Sequence, residues 1–218
     1  MKVIVNLSNK NIQNDVDPSE GCIISQIVQF VQQHDIKLYH NIIDIGAHDG
    51  LFKSNSYYLI RHGWNAILIE PNPDSYNMLI DVNRNYSKQV ATFNIAIGYE
   101  SLRTILYKHR NSLRNPNSNH SGASLLDVGG GEGWDVAVIS CKELIESISW
   151  PGIGIFSIDA EGYDIYILKS LFETEARPQI IITEIFKRKI EQQKHQMIID
   201  NGYQLILKEG QNKAYVRQ

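Results

Sequence analysis

A chain of 218 residues, 43% apolar and 21% charged with a formal net charge of −3, fits one globular domain with a full core. That charge gives no reason to expect nucleic-acid binding, and no basic run supplies one locally. Two cysteines, Cys22 and Cys141, are too few for a disulfide framework or a zinc cluster. With no signal-like start and no apolar run of about eighteen residues, the expectation is a cytoplasmic protein with no membrane span.

Residues 1–20 read as a polar, Asn-rich lead-in, and 21–218 as a single domain. Ile23, Ile24, Ile27, Val28 and Val31 recur at helical spacing, so 21–34 is expected to be an amphipathic helix on a sheet. A homo-oligomer contact is the other use for its apolar face. Asn41–Ile45 then reads as a buried parallel strand that carries one acid, Asp44, and breaks at Gly46-Ala47-His48-Asp49-Gly50. Gly46 suits a bend closed to residues with a Cβ, and Gly50 suits close approach of a ligand or of the next helix. Such a loop, at the carboxyl end of a strand, is where open α/β sheets take nucleotide-like ligands. A helix is expected from near Leu51 to His62, stopping at Gly63.

The next strand, 64–69, ends in Glu70-Pro71-Asn72-Pro73. Glu70 follows Gly50 by twenty residues, the spacing at which a carboxylate can accept both ribose hydroxyls. A helix over 73–85 and a strand over 90–95 follow; the stretch Asn94–Ile97 is placed to line an adenine. Residues 102–107 read as a strand, and 108–133 as an irregular insertion that is either a lid or a solvated excursion. Leu125–Gly133 mimics a strand with a glycine-rich cofactor loop. Its context is wrong: 134–139 is strand-like where a helix is needed, and 152–156 holds no ribose acid.

A helix over 141–149 leads to the apolar strand 153–158, whose tip is Asp159-Ala160-Glu161-Gly162. Acids at the end of a buried strand are desolvated on one side and suit proton or cation chemistry. A helix over 163–171, a strand over 180–185 carrying Glu184, a helix over 187–201 and a hairpin pairing 203–207 with 214–216 complete the chain. The expected fold is α/β: a Rossmann-like, doubly wound, mostly parallel seven-stranded sheet with a C-terminal antiparallel hairpin, the class I methyltransferase arrangement.

Several runs resemble the FkbM family of methyltransferases: IDIGAHDG with Ser54-Asn55, Gly63-Trp64, IEPNP at 69–73, NIAIG at 94–98, SGASL at 121–125, SIDAEGYDIYIL at 157–168 and RPQIIITE at 177–184. The resemblance implies bound S-adenosylmethionine and, usually, O-methylation of a sugar, glycan or natural-product hydroxyl. It implies that Gly46, His48, Asp49, Gly50, Ser54 and Asn55 surround the methionine part. Glu70 would hold the ribose, with Asn94 and Ala96 near the adenine, and Asp159 and Glu161 beside the methyl group; Asp44 and Asn72 are counted among the cofactor-binding residues as well. This chain departs from the family where many members carry Asn at His48 and Lys at Ser157.

An alcohol needs help in losing its proton, so Asp159, with Glu161 or Glu184, is the expected base. The same three acids are the set that would hold a divalent cation such as magnesium. His48, His109 and His120 are weaker candidates for the base. Two rival readings are a nicotinamide-dependent oxidoreductase, for which GAHDG is one glycine short, and a non-catalytic S-adenosylmethionine-binding module. The intact acids at 159, 161 and 184 argue against the second.

Overall fold

The computed structural model describes residues 16–108, 123–126, 132–185 and 188–218. Seven strands form one sheet: β1 (Asn41–Ile45), β2 (Asn65–Ile69), β3 (Val90–Phe93), β8 (Ile155–Ile158), β9 (Ile180–Glu184), β10 (Tyr203–Glu209) and β11 (Asn212–Arg217). Their order is β10-β11-β9-β8-β1-β2-β3. The strands β3, β2, β1, β8 and β9 run parallel, and β11 is antiparallel to both β9 and β10. The expected doubly wound sheet with its inserted hairpin is therefore present.

The central strands are buried along both faces, which is why they read as unbroken Ile runs. Alternation along each strand divides them between two cores. Ile42, Ile155, Ile180 and Ile182 pack with α1 (Ile23–Gln33), α2 (Tyr57–Arg61) and α3 (Pro73–Asn83). Ile43, Ile45, Phe156, Ile158 and Ile181 face α4 (Cys141–Ser147), α5 (Asp164–Phe172) and α6 (Arg188–Asp200). Among the described residues, no helix is long and apolar enough to cross a membrane.

Three features differ from the sequence reading. The strand expected over 90–95 ends at Phe93 as β3, and an additional strand that was not expected, β4 (Ala96–Gly98), lies outside the main sheet. It joins β5 (Leu102–Lys108), β6 (Ala123–Ser124) and β7 (Gly133–Ser140) in a second, four-stranded sheet of order β4-β7-β5-β6. Ala96, Leu106, Val136 and Val138 give that sheet its own small core. Most of the expected insertion, 109–122 and 127–131, lies outside the described residues, as do His109 and His120.

The helix expected from Leu51 begins only at Tyr57. Side chains capture the backbone before it. Asp49 accepts from the N–H groups of Leu51 and Phe52, and Ser54 Oγ accepts from those of Ser56 and Tyr57. The lead-in is also less separate than its polarity implied. Asp17 and Ser19 are buried, and Asp17 accepts from the backbone of Ser19 and Ser25 at the start of α1.

Candidate active site

The carboxyl ends of β1, β2, β8 and β9 open into one cavity of about 350 Å³, covered on one side by β4, β5 and β6 of the second sheet. Its size is at the lower end of the range for small-ligand sites. Asp44, Gly46, His48, Ser54, Asn55, Glu70, Ala96, Asp159, Glu161 and Glu184 all line it. These residues span 140 positions of sequence and meet because parallel strands present their tips on one edge.

The bend after β1 is shaped by contact with β8. Gly46 has φ +84°, and a Cβ there would lie 1.9 Å from the carbonyl oxygen of Asp159. Only glycine permits that approach. The N–H groups of Gly46 and Ala47 donate to the Ile69 carbonyl, at 2.9 and 3.1 Å, and the Asp159 N–H donates to Ile45. Three strand tips are thereby locked together.

Glu70 secures the bend from the other side. Its Oε2 accepts from the His48 N–H and its Oε1 from the Asn72 N–H, each at 2.8 Å. Burial raises its pKa to about 7, against the pull of those two donors, and Asp44 and Asp49 raise it further. Each oxygen keeps acceptor capacity for a hydroxyl in the cavity.

Not every predicted residue faces the cavity. Asp49 turns to the backbone of 51 and 52, and Gly50 abuts Leu79 and Asn83 of α3, so it is the helix that approaches there. Asn72 caps α3 by accepting from Asp74. Asn94 donates its amide to the carbonyls of Glu70 and Pro71. All four shape the cavity from outside its lining.

Asp44 and Asn55 lie deeper. Burial raises the pKa of Asp44, opposed by the hydroxyls of Ser56 and Ser157. Ser157 also accepts from Asn55 Nδ2 at 3.1 Å. The carboxamide oxygen of Asn55 is buried with no partner among the described residues. An unsatisfied acceptor beside a cavity is a place for a donor on a ligand.

The acids at the tips of β8 and β9 interact strongly. Burial raises Asp159 well above the usual carboxylate range; Glu184, Asp164 and Glu161 add to the shift, and Asp159 donates to Glu184. Burial likewise raises Glu184, to about 7. Each carboxylate thus raises the cost of ionising its neighbour. Glu161 has φ +50°, and His48 and Lys53, also on the cavity wall, have φ +51° and +53°. Left-handed backbone at three non-glycine residues around one cavity is the strain pattern of functional loops. Among the described residues, no group of three or more His, Cys, Asp or Glu side chains is arranged to hold a metal ion.

Beneath this pair is a residue that the sequence did not reveal. Lys194 of α6 is fully buried, and its Nζ donates to the Glu184 carbonyl. It lies 3.2 Å from Glu191 and 3.7 Å from Asp164, and Lys213 donates to Glu191 at 2.7 Å. Asp164 in turn accepts from the Thr183 hydroxyl and the Gly162 N–H, both at 3.2 Å. The lysine thus joins the Glu161–Gly162 turn to the end of β9. Phe52, Lys53, Tyr163, Leu125 and Gln211 also line the cavity without having been singled out.

A seven-stranded sheet in this order, with a reversed strand beside β9 and a cavity at the tips of β1 and β2, defines the class I methyltransferase fold. Solved structures of that class match it. The METTL16 MTase domain is 11% identical, with a TM-score of 0.53 over 90% of this chain and 66% of that one. The bifunctional kinase-methyltransferase WbdD is 12% identical, with a TM-score of 0.50 over 89% of this chain and 38% of that one. No curated protein sequence matches the chain. The methyltransferase FkbM domain matches residues 44–209, and the chain belongs to that family.

Two measurements follow from the buried charges. Lys194→Met leaves Asp164 and Glu191 without their buried cation and is expected to destabilise the fold by about 3–5 kcal/mol in urea titration. Asp164→Asn added to it is expected to recover part of that loss. Asp44, Glu70, Asp159, Asp164 and Glu184 all have raised pKa values when folded, so the folded chain holds more protons than the unfolded one above the ordinary carboxylate range. Stability is therefore present at about pH 5 and declines as pH rises through about 7, which thermal unfolding at about pH 5.5 and about pH 8.5 will read as a falling Tm.

Proposed function

We propose that the cavity binds S-adenosylmethionine and that the chain transfers its methyl group to a hydroxyl of a sugar, glycan or natural-product acceptor. The observation that carries this reading is the acidic lining of the cavity. Asp44, Glu70, Asp159, Glu161 and Glu184 line it, and Lys53 is the one lysine or arginine among its described lining residues. Such a wall favours a ligand with cationic sulfonium and ammonium groups. It opposes the pyrophosphate of a nicotinamide dinucleotide, which that family of sites meets with glycine N–H groups and a helix N-terminus.

The residues present fit this cofactor. Glu70 offers acceptor capacity to a diol, and the unpartnered oxygen of Asn55 offers an acceptor to an ammonium group. S-adenosylmethionine supplies an electrophilic methyl group on sulfur. The chain's task is to hold the acceptor oxygen in line and take its proton. The Asp159–Glu184 pair suits that task, because Glu184 near pH 7 is poised between accepting and releasing a proton. Leu106, Ala123 and Leu125 face the cavity from the second sheet and give the acceptor an apolar wall that limits water. The FkbM resemblance supports an oxygen acceptor, and family membership supports the methyl transfer.

The test is transfer from methyl-labelled S-adenosylmethionine to a panel of sugars, glycans and phenolic metabolites. For an acceptor that wild type methylates, Asp159→Asn is expected to cut kcat by about 100-fold while cofactor affinity changes little. Undiminished turnover by that variant would remove Asp159 from the chemistry. Transfer only to nitrogen or carbon acceptors would overturn the assignment of an oxygen nucleophile.

A further inference from the structure

Glu20, in the short 3-10 turn Glu20–Cys22 before α1, lies outside the acid cluster yet reaches the rim of the cavity twice. Its Oε1 accepts from Lys53 Nζ at 2.8 Å, and its Oε2 accepts from the Gln211 N–H at 2.9 Å. Lys53 belongs to the loop after β1 and Gln211 to the turn between β10 and β11, and both line the cavity. One carboxylate therefore joins two loops that are far apart in sequence and that both line the cavity.

The surrounding geometry is built for this contact. Ser19 pairs with Lys53 in an isolated parallel β-bridge, which lays the turn against the loop. Gly21 has φ +62°, and a Cβ there would lie 2.1 Å from Glu209 Cγ; one on Gly210 would lie 2.7 Å from Glu20 Cγ. The two turns meet at glycines on both sides. Lys53, held in left-handed backbone at φ +53°, has its side chain half exposed. Glu20 gives that half-exposed lysine a charged partner at 2.8 Å. Glu20 is pulled below the usual carboxylate range by the Lys53 hydrogen bond and the Gln211 N–H, against a desolvation effect, so the bridge is charged at neutral pH.

We infer that Glu20 is a positioning residue for the cofactor cavity: it ties the Lys53 loop to the hairpin turn and sets how long S-adenosylmethionine stays bound. This rests on the cofactor reading above. An isolated exposed ion pair contributes little. Here the same carboxylate also takes a backbone N–H, and a charge-assisted hydrogen bond is the stronger kind. Because the bridge holds two lining residues in place and touches none of the acids at the strand tips, its loss weakens the bound complex and so acts on escape more than on entry.

Rapid dilution of labelled S-adenosylmethionine from wild type, Glu20→Ala, Glu20→Gln and Lys53→Met tests this, with association rates measured in parallel. Glu20→Ala is expected to raise the dissociation rate about tenfold and leave the association rate within about twofold. Glu20→Gln, which keeps an acceptor for Gln211 but loses the charge, is expected to fall between. Lys53→Met, which leaves the Gln211 N–H donating to Glu20, is expected to raise the dissociation rate by less than Glu20→Ala does. A merely structural role would lower Tm and would not separate the two rates. Wild-type dissociation from Glu20→Ala, or equal changes in both rates, would overturn the inference alone. Failure of the wild-type chain to bind S-adenosylmethionine would overturn the cofactor reading together with it.

Discussion

The site depends on one carboxylate that holds a backbone bend in place. Glu70 takes N–H groups from His48 on one side and Asn72 on the other, so the end of β2 is fastened to the loop after β1 and to the start of α3. A buried bend of this kind has donors that must find acceptors, and a glutamate at the strand tip satisfies two at once. Burial leaves that glutamate with a pKa of about 7, a sign that the site was assembled at some electrostatic expense. A ligand that donates hydroxyls to it, or brings positive charge near it, relieves that condition.

The same logic recurs at the tips of β8 and β9. Asp159 and Glu184 are crowded into a desolvated corner and interact strongly, while Lys194 anchors the end of β9 and Asp164 from behind. Carboxylates kept partly neutral near pH 7 are of little use to the fold by themselves. They become useful when an acceptor proton has to leave and a sulfonium charge is about to vanish. Structural order and chemical poise are thus supplied by different residues: the buried lysine and Thr183 fix the frame, and the acids face the cavity.

The main sheet was legible because its strands are buried on both faces. NIIDI, IFSI and IIITE have no exposed side on which polar residues could blur the pattern. The second sheet was harder to read, since β5 and β7 are half exposed and mix Arg, Thr, Asp and Trp into their alternation. The loop over 51–56 looked helical because its Asp and Ser side chains, which take over the backbone N–H groups, carry no periodicity to warn of it. Gly50 was legible as a close approach, but a single sequence does not say whether a ligand or α3 comes near. Lys194 was invisible for a related reason. Its helix is polar on average, and only the three-dimensional meeting of α6 with Asp164 and the Glu184 carbonyl makes that lysine a buried one.

Calorimetric titration of the wild-type chain and of Glu70→Ala with S-adenosylmethionine, and of both with NADH, is the most direct measurement of the central claim. The account predicts saturable binding of S-adenosylmethionine to wild type, at least about tenfold weaker binding by Glu70→Ala, and no binding of NADH by either. Binding of NADH by wild type, or equal affinity of the two proteins for S-adenosylmethionine, would contradict it.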